Sequence, residues 1–127
     1  MSQGAMDLVA EAKKDVENLT PEQVAAELAS GDAILVDVRE PAERETASIA
    51  GSVHAPRGML EFYADPSLPY HKEELSPEKR IILHCASGGR SALGAATLKK
   101  MGYTNVAHLE GGMRGWQEAG QPTETGS

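Results

Sequence analysis

The tightest constraint in this chain is local. An apolar run, Arg80-Ile81-Ile82-Leu83-His84, ends at Cys85, the only cysteine, and a run of helix formers begins at Ser91. A continuous apolar run of this length reads as a strand buried on both faces. Residues 91–101 are rich in Ala and Leu, carry Lys99 and Lys100 at their end and precede Gly102, the pattern of a helix with a glycine C-cap. The link between them is Ala86-Ser87-Gly88-Gly89-Arg90. Strand, tight loop and helix thus place the thiol at a strand's carboxyl end, where open α/β sheets hold ligands. A loop of small residues can turn successive N–H groups inward as an anion nest, and the following helix adds the positive end of its dipole. Gly88 and Gly89 remove the Cβ cost of positive φ in such a curl. A lone cysteine is otherwise commonly a small buried hydrophobe. In this setting it ionises more readily than a free thiol, so Cys85 is expected to act as a thiolate nucleophile cradled by residues 86–90.

The rest of the chain supplies a scaffold. Strand-like and helix-like stretches alternate, which predicts an α/β fold with a mainly parallel sheet covered by helices on both faces. Leu8, Val9, Ala12, Val16 and Leu19 recur near helical spacing, predicting an external helix over residues 7–18. Thr20-Pro21-Glu22-Gln23 is a helix start with N-cap, N1 proline and capping box. Ala33-Ile34-Leu35-Val36-Asp37-Val38 reads as a second buried strand. A carboxylate so close to an apolar run survives by accepting hydrogen bonds from backbone or arginine. Asp37 is therefore read as a structural anchor rather than a proton-transfer group, with Arg39 as the nearby donor and Arg90 as the alternative. Val53-His54-Ala55-Pro56 predicts a short edge strand, Met59, Leu60, Phe62 and Tyr63 one core-facing turn, and Val106-Ala107-His108-Leu109 a last strand before a helix bearing Trp116.

Composition narrows the function. A formal net charge of −7 argues against nucleic acid or an anionic membrane as the main partner. No apolar run approaches the roughly 20 residues of a membrane span. One cysteine excludes an internal disulfide framework and suits a reducing compartment. Met1–Met6 show no secretory pattern, so a cytoplasmic setting is expected. His54, His71, His84 and His108 have no ligand spacing, so no metal site is expected. His84 points to the opposite strand face from Cys85 and is a poor candidate for its base.

Four stretches in order carry a resemblance. The loop at Cys85, Leu35-Val36-Asp37-Val38-Arg39-Glu40, Ile49-Ala50-Gly51-Ser52-Val53-His54-Ala55-Pro56 and Leu109-Glu110-Gly111-Gly112-Met113-Arg114-Gly115-Trp116 resemble the motifs of rhodanese-family sulfurtransferases. The resemblance runs from about residue 18 to 120. It implies one rhodanese-like domain of about five strands in three layers over 18–120; by their own residues, 1–17 read as a helical extension and 121–127 as a disordered tail. One departure stands out: Ala47-Ser48-Ile49-Ala50-Gly51-Ser52 replaces the family's Gly-His-Ile-Pro-Gly-Ala.

The same resemblance implies the chemistry. A sulfane sulfur from thiosulfate or a similar small anionic donor would pass to Cys85 as a persulfide, then to cyanide or a thiol. No cofactor is implied, because the cysteine carries the transferred group. Arg90 would steer the donor, Arg57 would either lie at the rim of the site or be a solvated surface residue, and Asp37 and Arg39 would support the loop. A carrier module relaying persulfide to a protein acceptor, of unspecified identity, is the alternative. Four residues separate Cys85 from Arg90; cysteine phosphatases of related fold have five, a wider cradle suited to a phosphoryl group.

Overall fold

A computed structural model describes residues 2–125. In chain order the elements are α1 (Ala5–Asp15), β1 (Glu17–Leu19), α2 (Pro21–Ser30), β2 (Ala33–Asp37), α3 (Pro41–Thr46), β3 (Val53–His54), a 3-10 turn (Arg57–Met59), α4 (Leu60–Ala64), β4 (Arg80–His84), α5 (Gly89–Lys100), β5 (Val106–Leu109) and α6 (Gly112–Glu118). The five strands form one sheet in the order β1-β5-β4-β2-β3. Every pairing is parallel, as expected when helices connect the strands.

Strand periodicity divides the core into two layers. Along β4 and the residue after it, Ile81, Leu83 and Cys85 fall on one face and Ile82 on the other; on β5, Val106 goes with the first set and Ala107 and Leu109 with the second. Leu60 and Ala64 of α4 and Ala95 and Leu98 of α5 close the first face. Val24 of α2 and Met113 and Trp116 of α6 close the second. α1 adds a further layer to the first face, with Val9 and Ala12 buried on Ala92 of α5. The predicted capping box at α2 is present: Gln23 N donates to Thr20 Oγ1 at 3.1 Å and Thr20 N to Gln23 Oε1 at 2.9 Å.

The topology sets where a site can lie. From β2 the chain crosses to β3 on one side, and from β4 to β5 on the other, so the neighbouring carboxyl ends of β2 and β4 form a topological switch point. Cys85 follows β4 and Arg39 follows β2, which brings both to this crevice. No helix among the described residues is long and apolar enough to cross a membrane.

Several expectations need correction. Residues 17–19 are an edge strand paired with β5 rather than the end of a helix; three residues with one buried side chain leave little periodic signal. Phe62 is 47% exposed, although Leu60 beside it is fully buried. The tail is not free of structure over 121–124. Trp116 Nε1 donates to the Pro122 carbonyl at 2.8 Å, and Ser48 and Glu124 exchange backbone hydrogen bonds at 2.8 and 2.9 Å. Residues 126 and 127 lie outside the described residues.

Candidate active site

The loop curls because its carbonyls are held elsewhere. Cys85 O accepts from Met113 N at 2.7 Å and Ala86 O from Arg114 N at 3.1 Å, both in the first turn of α6. These first-turn N–H groups have no partner within their own helix. Beyond these two anchored peptide units the loop curls back through Gly88, and two amides face the sulfur. Gly88 N donates to Cys85 Sγ at 3.1 Å and Ser91 N at 3.4 Å. Gly88 has φ +111°, a conformation that a side chain would strain, whereas Gly89 lies within α5 and contributes no positive φ. The cradle therefore includes Ser91, which the sequence reading had left out, and rests on one of the two glycines. Ser87 is at the exposed tip, and Ala86 and Gly89 are half-buried.

Cys85 itself is 1% exposed. Its sulfur lies beneath the loop among Leu83, Ala95 and neighbours on one side and polar donors on the other. The thiol is thus at the carboxyl end of β4, as expected, but under a thin cover of loop. A cleft of about 320 Å³ opens beside the loop, lined in part by Ala86, Arg39, Glu43, Met113 and Arg114. A wider cleft, about 840 Å³, is at the opposite end of the strands around Arg80. There the guanidinium is already taken by Glu27, Glu17 and Asn105 at 2.8 Å each.

Asp37 organises the second half of the crevice. Its fully buried carboxylate accepts from Arg39 N (2.9 Å), Nε (3.0 Å) and Nη2 (2.9 Å) and from Arg44 Nη1 (3.1 Å). Burial pushes its pKa up, but the Arg39 hydrogen bonds, the His84 charge and the Arg39 charge together hold it below the ordinary carboxylate value. Asp37 and Arg39 are thus brought together as anchor and donor. Arg39 also ties down the Glu43 and Ala47 carbonyls at 3.3 and 2.7 Å.

Arg90 does not reach Asp37 and stays partly exposed to solvent. Its guanidinium forms a bidentate pair with Glu43 at 2.8 and 2.9 Å, joining α5 to α3 across the switch point. Those hydrogen bonds above all hold Glu43 down at about 2. Arg57 is committed to Glu61 at 2.7 Å and Thr97 at 3.3 Å, about two turns along α5 from the loop. His84 is buried on the Asp37 side, its Nε2 3.7 Å from Asp37 and without a hydrogen-bond partner. Burial drives its pKa down to about 4 against the opposing charge of Asp37.

One group missed in the sequence stands next to the thiol. Leu83 of β4 pairs with His108 of β5, and His108 pairs with Asn18 of β1. His108 is therefore on the Cys85 face, fully buried, with Nδ1 3.0 Å from Ser91 Oγ.

The comparisons agree with this architecture. Residues 20–119 match the model of the family described as Rhodanese-like domain. The chain belongs to the rhodanese-like domain family. It is 34% identical over 108 residues to a thiosulfate sulfurtransferase, GlpE, of Actinobacillus succinogenes, covering 84% of this chain and 89% of that one. It is 40% identical over 82 residues, 65% of its length, to YrkF of Bacillus subtilis, named as a proposed sulfur carrier protein. This chain spans only 40% of that relative's length. Its backbone superposes with a TM-score of 0.89 at 41% identity on a Rhodopseudomonas palustris protein of unknown function described as a possible tyrosine phosphatase, covering 98% of this rhodanese-like chain and 96% of that one.

Two outcomes follow from this geometry. A Cβ on Gly112 would lie 2.5 Å from Cys85 O and 2.7 Å from Ala86 O, at a φ of +57°. Gly112→Ala therefore costs at least about 2 kcal/mol of stability and lowers Cys85 reactivity, measured by denaturant unfolding and thiol alkylation. His84 has a folded-state pKa of about 4 against 6.5, so the unfolded chain binds more protons between those values. Its contribution is complete above pH 6.5 and is lost as pH falls toward 4. The loss is about 3 kcal/mol or about 10 °C in melting temperature. His108, also shifted down, adds in the same direction. Melting curves from pH 7.5 to 4 check this, and His84→Asn flattens the slope.

Proposed function

We propose that this rhodanese-like domain is a sulfurtransferase that moves a sulfane sulfur through a persulfide on Cys85. The donor would be thiosulfate or a similar small anion, and the acceptor cyanide or a thiol. The observation that carries this reading is the pair of backbone N–H groups, from Gly88 and Ser91, aimed at Sγ where α5 begins. Backbone dipoles fixed in a dry site stabilise an anionic sulfur without reorganising as charge develops. The relationship to a thiosulfate sulfurtransferase supports the choice of donor.

In the first step the Cys85 thiolate attacks the outer sulfur of thiosulfate, the donor's S–S bond breaks and sulfite leaves with its electron pair. In the second an acceptor thiolate or cyanide attacks the outer sulfur of the persulfide, and Cys85 thiolate returns. The first-turn N–H groups of Gly89 and Arg90 have no helical carbonyl behind them and remain for the outer sulfur. Because Cys85 is only 1% exposed, entry requires the exposed loop tip at Ser87 to move aside. Arg90 supports the loop through Glu43, and Arg39 does so through Asp37 and the Ala47 carbonyl. A reducing compartment, the cytoplasm, suits a chain whose sole cysteine has to stay reduced.

A carrier reading, in which the persulfide passes to a protein acceptor, draws on the relationship to YrkF. Multiple turnovers with free thiosulfate and cyanide favour the enzyme, and a single stoichiometric transfer the carrier. A phosphatase reading, suggested by the Rhodopseudomonas palustris relative, is opposed by the four-residue spacing from Cys85 to Arg90 and by the engagement of Arg90 with Glu43. Release of phosphate from an aryl phosphate would restore it. Mass spectrometry after thiosulfate treatment is expected to find one added sulfur on Cys85, and Cys85→Ser to abolish both that adduct and turnover while the protein stays folded. Substantial turnover by Cys85→Ser would sink the assignment.

A further inference from the structure

The proposed chemistry leaves one buried chain of polar groups unused. Cys85 Sγ is 3.5 Å from Ser91 Oγ, and Ser91 Oγ is 3.0 Å from His108 Nδ1. On the far side of the ring, His108 Nε2 is 2.7 Å from Asn18 Oδ1 and 3.4 Å from Glu110 Oε2. Ser91 and His108 are fully buried.

The proton positions follow from the partners. Asn18 Nδ2 donates to the Lys13 and Val16 carbonyls at 3.0 and 3.1 Å, which fixes the amide so that its oxygen faces His108. That oxygen only accepts, so His108 Nε2 carries the proton and Nδ1 is bare. Nδ1 must then accept from the Ser91 hydroxyl. The competing acceptor for that one proton, Gly88 O, is at 3.4 Å, beyond the usual O–H···O range, whereas 3.0 Å lies at its edge. With its proton committed to His108, Ser91 Oγ presents lone pairs to the thiol and accepts the S–H.

We infer that Ser91 and His108 form a proton relay for Cys85, with Ser91 touching the reacting sulfur and His108 acting through it as a positioning and proton-holding residue. As the S–H bond breaks, its proton moves to Ser91 Oγ and the original Ser91 proton moves to His108 Nδ1. The products are thiolate, neutral serine and imidazolium, with no oxidant or reductant needed. The Ser91 hydroxyl then donates to the sulfur anion, a third donor beside Gly88 N and Ser91 N. The groups facing His108 suit this state. Glu110 offers its carboxylate to the imidazolium, Asn18 accepts at Nε2, and the remaining cation, Lys13 of α1, is held off by a 2.7 Å pair with Glu110 Oε1. Burial, with the Lys13 charge and only partly opposed by Glu110, lowers the His108 pKa, so the ring rests neutral, and Glu110 offsets part of the cost when the proton arrives.

The relay rests on Cys85 being the nucleophile, but a separate measurement tests it. The rate of Cys85 alkylation by iodoacetamide is followed from pH 6 to 10 in the wild type, Ser91→Ala, Ser91→Thr, His108→Gln and the Ser91→Ala/His108→Gln double variant. Ser91→Ala and His108→Gln are each expected to lose about tenfold or more at pH 7. Above pH ~9.5 solvent ionises the thiol unaided, and the curves converge. Ser91→Thr, which keeps the hydroxyl, restores the wild-type profile. Groups acting as one unit are non-additive, so the double variant loses no more than either single one. The relay is overturned by wild-type profiles in the single variants, by losses that persist undiminished at high pH, or by additive losses in the double variant. If His108→Gln fails to fold, the Ser91→Ala and Ser91→Thr profiles decide alone. Sulfur loading of the wild type by thiosulfate is read in parallel. Its failure would remove the sulfurtransferase proposal while the alkylation profiles still decide the relay.

Discussion

Two hydrogen bonds from the first turn of α6, Met113 N to Cys85 O and Arg114 N to Ala86 O, determine what the loop can be. A peptide unit cannot turn its carbonyl one way without turning the N–H of the next residue the other. By drawing the Cys85 and Ala86 carbonyls outward, α6 fixes the peptide units that carry the Ala86 and Ser87 N–H groups, and from that start the loop curls through Gly88 so that the amides of Gly88 and Ser91 face the sulfur. This requires the two backbones to approach so closely that position 112 has no room for a Cβ. The tandem glycine at 111–112 is therefore part of the cysteine site, although it follows a different strand. It serves the loop by shape and hydrogen bonding and supplies no reacting group.

Electrostatics at the site are local. The chain carries a net charge of −7, so its long-range field repels a small anion rather than steering it in. The arginines nearest the crevice do not reverse this: Arg39 is satisfied by Asp37 and backbone carbonyls, and Arg90 by Glu43. Close to the sulfur, oriented amides, the start of α5 and the polar chain through Ser91 attract an anion, and the Arg90 charge adds to them. These act over a few ångströms and depend on excluding water. The burial of Cys85 is in that sense consistent with reactivity, because a cradle of neutral dipoles is stronger where the dielectric constant is low. The cost is access, which falls on the loop tip around Ser87.

How much of this was legible in the sequence depended on distance along the chain. The strand–loop–helix around Cys85 could be read because all its parts lie within about two dozen residues and carry local signals. Asp37 and Arg39 were legible as a pair for the same reason, being two residues apart. The partner of Arg90 was not, because Glu43 lies 47 positions away on a six-residue helix with no buried side chain. His108 was hidden by register. Periodicity shows that it alternates with Ala107, but only the pairing of β5 with β4, Leu83 opposite His108, reveals that its face is the cysteine's face. The same rule that excluded His84, one residue from Cys85 and on the other side of the sheet, admits His108 once that register is known.

The two ends of the chain also converge on the loop, and they do so across the edge of the matched family region. That region begins at residue 20, yet Asn18, which fixes the tautomer of His108, and Lys13, whose carbonyl orients Asn18 and whose ammonium pairs with Glu110, both precede it. Val9 of α1 lies against Gly89 at the start of α5. At the other end, the 121–124 segment is bonded to Trp116 of α6 and to Ser48. That places it beside the Ala47-Ser48-Ile49-Ala50 stretch, where this chain departs from the family motif. A glycine at 51 with φ +79° is retained there, and the bridge from Glu124 supplies backbone partners for Ser48. The departure is thus absorbed by chain from another part of the sequence, while the loop at Cys85 keeps its shape because α6, which carries that strap, also holds the loop's carbonyls.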